Sequence, residues 1–237
     1  MTTQQHIIRK SADRGHFDHG WLDTFHTFSF GSYQDAEWMD FGPLRVINED
    51  YIAARMGFGE HGHRDMEIIT YPVSGAVRHR DSLGHEEDIT PGMIQHMRAG
   101  SGIRHSEFNP LDERTHMLQI WIQPRELGLE PSHSSRSFPI HEQPGELHLL
   151  ASPDGEGDSL SIAQDARLWA GVFAGGDSKN LEIGGRQDVW VQVIGGALSA
   201  NGAGLSVGDG LGIRDISTLE LRFEQDSEVL IFALRSE

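Results

Sequence analysis

Short runs of alternating apolar and polar residues, broken every few positions by Gly, Asp, Asn or Pro, dominate this chain, and helix-period apolar stripes are hard to find. Alternation with a period of two turns one face of a strand to a core and the other to solvent, so the pattern predicts strands. A first series covers 44–55, 67–73, 76–80, 93–97 and 116–123, the last reading His-Met-Leu-Gln-Ile-Trp-Ile-Gln. Asp81-Ser82-Leu83-Gly84 and Ile89-Thr90-Pro91-Gly92 are the turns between some of these runs. A second series covers 146–150, 160–162, 168–173, 189–194, 219–223 and 229–234. From Arg125 to Pro144, Pro, Ser, Glu and Gly follow one another without sustained periodicity, and the segment is expected to be a linker.

The two series look like a diverged repeat. Gly75-Ala76-Val77 follows an apolar run and precedes Pro91-Gly92; Gly196-Ala197-Leu198 follows another and precedes Asn201-Gly202 and Val207-Gly208. The expectation is an all-β chain of two tandem barrels, residues 1–130 and 131–237.

Composition narrows the function classes. Net charge is −17, from 36 acidic and 19 basic residues, a surface that repels phosphate backbones and anionic membranes, so neither nucleic acid nor membrane is an expected partner. There are no cysteines, which excludes disulfides, thiolate metal sites and a Cys nucleophile. No run approaches the roughly 20 apolar residues of a membrane span, and residues 1–10 lack the apolar core of a signal peptide. The expectation is a soluble cytoplasmic protein.

Histidine supplies the candidate chemistry. All 14 lie at or before His148. His61-Gly62-His63 and His105-Ser106-Glu107 are two pairs at spacing i, i+2, which in a strand point the same way. Side by side in one barrel, such strands bring three imidazoles and a carboxylate together, a donor set for Fe(II), Mn(II), Ni(II), Cu(II) or Zn(II). Aligning the halves on their glycines puts Glu182 and Gly184 opposite His61 and His63, and Leu221 and Phe223 opposite His105 and Glu107. A metal, if one is held, is therefore expected in the N-terminal barrel. His79, His85 and His96 are expected to be exposed or satisfied by hydrogen bonds. His16, His19 and His26 could line an entrance or tie down the amino-terminal segment, with the second reading favoured; Phe28, Phe30 and Trp38 are expected to be core or docking residues rather than a clamp on a ligand, and Glu86-Glu87-Asp88 to be a solvated turn.

His61-x-His63-x-x-x-Glu67 with Gly75, followed by Gly102-x-x-His105-x-x-x-Asn109, resembles the two cupin motifs in order. Three segments carry a narrower resemblance to pirins of the quercetin 2,3-dioxygenase type: Arg14 to Phe28, Phe58 to Glu67, and Ser101 to Asn109; Val77-x-His79-x-Asp81-Ser82-x-Gly84 also matches. The resemblance implies a bicupin of two jelly-roll-like barrels with a ligand-poor second barrel. It implies iron, held by His61, His63, His105 and Glu107. In many cupins the fourth ligand stands at the position of Glu67 instead; strand parity with His105 favours Glu107 and leaves Glu67 as a hydrogen-bond acceptor supporting the ligands. It also implies a flavonol and dioxygen as substrates, ring cleavage with release of carbon monoxide, and Glu107 as the base for the flavonol hydroxyl. The alternative is an iron-binding redox regulator acting through a protein partner.

Overall fold

The computed structural model describes residues 6–235; the outer limits of the expected domains, 1 and 237, lie outside them, as does the first half of the segment read for a signal peptide. In chain order the strands are β1 (His6–Arg9), β2 (Gly15–Asp18), β3 (Leu22–His26), β4 (Leu44–Ile52), β5 (Gly57–His63), β6 (Glu67–Ser74), β7 (Val77–Asp81), β8 (Glu86–Ile89), β9 (Met93–Arg98), β10 (Ile103–Phe108), β11 (Thr115–Ile122) and β12 (Ser132–Ser137). Then follow β13 (His148–Ser152), β14 (Leu160–Ser161), β15 (Ala166–Phe173), β16 (Ser178–Gly195), β17 (Ala197–Ala200), β18 (Ala203–Ser206), β19 (Gly210–Phe223) and β20 (Ser227–Leu234). Two 3-10 turns, Ser11–Asp13 and Glu156–Asp158, are the helical pieces among the described residues. No helix there is long and apolar enough to cross a membrane.

One compact unit comprises Gly15–Phe138 with Ile162–Gln164. Its strands form a seven-stranded sheet, β12-β9-β6-β11-β4-β3-β2, and a four-stranded sheet, β5-β10-β7-β8, among the described residues. The larger sheet buries alternating apolar side chains such as Ile47, Ile69, Leu118 and Ile120. The smaller sheet carries four of the chain's histidines, His61, His63, His79 and His105, an arrangement that apolar burial alone would not select.

The other unit comprises Met1–Arg14, Pro139–Ser161 and Asp165–Glu237. Its sheet runs β14-β13-β15-β20-β16-β19-β17-β18, with β1 added on β19. Val189, Val191, Leu219, Leu221, Phe223 and Ile231 lie in one apolar cluster. Asn201 and Gly202, both at positive φ (44° and 81°), make the β17–β18 turn that the Asn-Gly pair predicts. The glycines that define the repeat are also matched in backbone conformation. Gly75 and Gly196 have φ of 82° and 76°, and a Cβ at Gly75 would stand 2.5 Å from the Thr115 hydroxyl.

Two expectations need correction. The expected division at 130/131 falls instead after Phe138, because β12 lies inside the supposed linker and pairs along its length with β9. Its sequence, Ser-His-Ser-Ser-Arg-Ser, has no apolar alternation, so backbone pairing alone identifies it as a strand. His6–Arg9 does not belong with the amino-terminal barrel either, since β1 pairs with β19.

Candidate metal centre

The four-stranded sheet assembles the centre by register. His105 on β10 lies directly opposite His61 on β5, and Ile103 lies opposite His63. On the other side of β10, His105 faces Asp81 and Glu107 faces His79. Residues directly opposite one another share a face, so His61, His105 and Asp81 make one row across the sheet, and Glu107 and His79 the next. A bulge in β5 sets Phe58, not Gly59, opposite Glu107 and re-aims the strand beside the histidines.

Donor nitrogens of His61, His63 and His105 lie within 4.8 Å of one another. Their ring centroids are 4.5–4.8 Å apart. His61 Nδ1 donates to the Gly59 carbonyl at 2.8 Å, which fixes the tautomer and leaves Nε2 with its lone pair free to coordinate. His105 is 2 % exposed, and both its ring nitrogens are buried without a hydrogen-bond partner. An imidazole in that state has lost its water and gained nothing, unless a cation takes the lone pair.

Electrostatics point the same way. Burial, and then the neighbouring His105 and His61, push the His63 pKa down to about 4, with Glu107 opposing. Burial, and then His61 and His79, push His105 down to about 3, with Asp81 opposing. Both rings are therefore neutral at pH 7, the protonation state that coordination requires.

Glu107, 3 % exposed, accepts from Thr70 Oγ1 (3.1 Å) on one oxygen and from Gln119 Nε2 (2.8 Å) on the other. Its carboxylate groups within 4.8 Å of donor atoms of His105 and His79 rather than with the His61–His63 pair. Asn109, of the second motif, turns out to be structural. Its Nδ2 donates to the Ile52, Ala53 and Glu113 carbonyls and ties the end of β10 to β4.

Glu67 departs from expectation. It is fully buried on β6 and accepts from His96 Nε2 (2.8 Å), Arg98 Nε (3.1 Å) and the Ala163 amide (3.0 Å), none of them a ligand of the centre. Burial opposes its charge, but His96, Ala163 and Arg98 together outweigh it and hold the carboxyl below the usual range. His96 and His85 are satisfied by hydrogen bonds, as anticipated. His79 is fully buried, and while its Nε2 lies 3.3 Å from Asp81, its Nδ1 has no partner.

A cavity of about 580 Å³ opens onto the three imidazoles and Glu107. Phe17, Trp21, Leu22, Phe30, Phe58 and Trp121 supply apolar wall, and Thr24, Asn48, Asp50 and Gln119 a polar one. His16 has the expected structural role, stacked on Phe25 and donating to Asp23 at 2.7 Å. His19, His26 and Phe30, by contrast, line the cavity, because β2 and β3 extend the sheet alongside β4. Phe28 is core at 1 % exposure. Sequence reasoning also missed Asp50, whose side chain is 4 % exposed. Burial first, with the negative charges of Glu107 and Glu49 adding and the Thr24 hydroxyl offsetting part, pushes its pKa up to about 7. Asn48 and Asp50 sit at i, i+2 on β4, but Arg45 and Glu49 share that strand, so its sequence does not single them out.

Comparison with known proteins places the chain in a family. The family model Pirin matches residues 7–122, and Quercetinase C-terminal cupin domain matches residues 149–234. The chain is 44 % identical over 228 residues to the quercetin 2,3-dioxygenase of Escherichia coli K12, covering 96 % of this chain and 97 % of that one. It is 40 % identical over 227 residues to a pirin-like protein of Caulobacter vibrioides, covering 95 % and 98 %. The crystal structure of YhhW from E. coli superposes with a TM-score of 0.94 at 43 % identity, covering 98 % of this chain and 99 % of that one. A structure of the bacterial pirin YhhW in complex with nickel(II) gives 0.93 at the same identity, covering 98 % and 100 %.

Proposed function

The chain belongs to the pirin family, as a bicupin, and from that premise we propose that it is a metal-dependent dioxygenase that opens the heterocyclic ring of flavonols such as quercetin, consuming dioxygen and releasing carbon monoxide. One observation carries the reading. Three imidazoles, one with both nitrogens buried and unpartnered, face a mostly apolar cavity in the 300–1,000 Å³ range of small-molecule sites.

His61, His63 and His105 hold the metal, with Glu107 beside them as fourth donor; the family resemblance favours Fe(II), the donor set also suits Zn(II), Mn(II) or Cu(II), and a relative takes nickel(II). When bound, the metal supplies a positive charge that lowers an enol pKa and a redox-active centre for dioxygen chemistry. The aromatic wall of Phe17, Trp21, Phe30, Phe58 and Trp121 stacks on the flavonol rings and excludes water. Glu107, oriented by Thr70 and Gln119, receives the 3-hydroxyl proton at a carboxylate oxygen. Asp50, with its Oδ1 buried and unpartnered in the same wall, holds a proton near neutral pH and is a second group through which that proton is relayed.

The test is an anaerobic reconstitution of untagged protein with Fe(II), followed by quercetin and dioxygen. Equimolar loss of quercetin, uptake of oxygen and release of carbon monoxide is expected, and none of the three in His61→Ala. Metal-loaded protein that binds quercetin yet consumes no oxygen would overturn the dioxygenase reading in favour of a partner-directed regulator.

A further inference from the structure

A second gathering of imidazoles lies on β7 (His79), just before β8 (His85) and on β12 (His133), outside the cavity lining. It is organised by Asp81, the last residue of β7, whose side chain is fully buried. Its Oδ1 accepts from the Leu83 amide (2.9 Å) and the His85 amide (3.1 Å), which fixes the hairpin turn. Its Oδ2 faces three imidazoles at once: His85 Nδ1 at 3.0 Å, His79 Nε2 at 3.3 Å and His133 Nδ1 at 3.3 Å. Donor atoms of His79, Asp81 and His133 all lie within 4.8 Å of one another.

These distances are long for charge-assisted hydrogen bonds but suit ligands sharing an ion. Metal bonds of about 2.0–2.2 Å at a tetrahedral angle separate neighbouring ligand atoms by roughly 3.3–3.5 Å. His133 is poised for the same ion. A neutral imidazole has one N–H. With that hydrogen on Nε2, facing Glu87 at 3.4 Å, Nδ1 carries the lone pair, 3.3 Å from Asp81 Oδ2 and 3.4 Å from the Gln95 amide nitrogen. A metal at Nδ1 would replace the long Gln95 contact, and Glu87 is then the outer carboxylate that metal-bound histidines commonly have. Protonating His133 instead would place an imidazolium against two further imidazoles, His85 stacked at 4.5 Å and His79 at 4.9 Å.

We propose that His79, Asp81, His85 and His133 form a second transition-metal site, of a three-imidazole, one-carboxylate type that takes Zn(II) or a similar borderline divalent ion. The donors are those of tetrahedral zinc chemistry, with neither thiolate nor hard-oxygen cage. The net charge of −17 favours cation uptake generally, so the buried donor geometry supplies the selectivity. The site stands on its own geometry and does not depend on the dioxygenase reading.

Untagged full-length protein, stripped with a chelator, is titrated with Zn(II) by calorimetry, and its bound metal is counted by mass spectrometry after desalting. Wild type is expected to take two equivalents. His85→Ala/His133→Ala is expected to take one, and His61→Ala/His105→Ala also one. Should the double variant at the new site fold poorly by circular dichroism, His85→Ala alone decides, since that side chain is 45 % exposed; it is expected to weaken the second equivalent about 10-fold or more. A single wild-type equivalent that disappears in His61→Ala/His105→Ala and survives in His85→Ala would overturn the second site. So would two equivalents indifferent to changes at His85 and His133. Loss of quercetin turnover in a protein holding both equivalents would overturn the dioxygenase reading alone.

Discussion

Asp50 is 4 % exposed in the cavity wall, with Oδ1 unpartnered. Its pKa, about 7 in the fold against 3.8 for the free side chain, makes it a measurable electrostatic liability of the metal-free protein. The folded state keeps the proton up to about pH 7, whereas the unfolded chain releases it near 3.8, so stability falls as pH rises through that window. The shift corresponds to something on the order of 4 kcal/mol once pH exceeds the folded value. Asp50→Asn removes the term while keeping the shape. Urea unfolding of metal-free protein should show the variant gaining on wild type from pH 5 to pH 8; a gap that does not change with pH would mean that Asp50 is ionised in the fold. At this scale the sequence was most legible where chemistry follows period-two parity. His61, His63 and His105 were readable because residues i and i+2 share a face, and the structure brings those three together. Asp50 and Gln119 were not, since a polar side chain in an apolar strand looks the same whether it serves a cavity or a hydrogen bond.

Among the elements, β6 and β9 show what Glu67 does in place of supporting the ligands. Glu67 lies opposite Arg98 in the pairing of those strands, and His96 lies opposite Ile69, so one buried carboxylate collects two side-chain donors from β9 and the Ala163 amide. Removing one partner of such a buried cluster costs about 3–5 kcal/mol, because the remaining polar groups keep their desolvation without their bonds. Glu67→Ala should therefore lower stability by about that much, Glu67→Gln by less, and neither should alter the zinc stoichiometry measured on folded protein. The pH dependence has a fixed sign. The folded pKa is held below the free value of 4.5, so the stabilisation is complete above pH 4.5 and is lost as pH falls through the folded value. Denaturant melts should show the wild-type advantage over Glu67→Gln shrinking in acid; an advantage that grows there would contradict the assignment. The cupin-like spacing of Glu67 was legible and its partners were not, since they come from β9 and from a segment 96 positions away. β12 was invisible for a related reason. Nothing in Ser-His-Ser-Ser-Arg-Ser marks a strand until β9 pairs with it, and His133 passed for a linker residue.

Across the molecule, the two halves repeat a backbone and not a chemistry. The shared left-handed glycines, Gly75 with Gly196 and Gly92 with Gly208, follow one plan. At the positions aligned with His105 and Glu107, however, Leu221 and Phe223 are buried at 1 % and 2 %, and Phe223 stacks on Phe173 at 4.1 Å. Apolar packing there fills the space that imidazoles and water would need, so the second unit has stability where the first has donors. Among the described residues, every group of side chains able to hold a metal lies within Gly15–Phe138. Metal binding stabilises only those openings that break the site, by about 2.7 kcal/mol at a free metal concentration 100 times Kd. Hydrogen exchange resolves those openings peptide by peptide. Adding Zn(II) to stripped protein should slow exchange in peptides covering β5, β7 and β10, and leave β16 and β19 unchanged, because opening those strands breaks no donor contact. Slowed exchange spread across β16 and β19 would show that the second unit also holds metal, and that loss of histidines from a cupin half does not imply loss of its site.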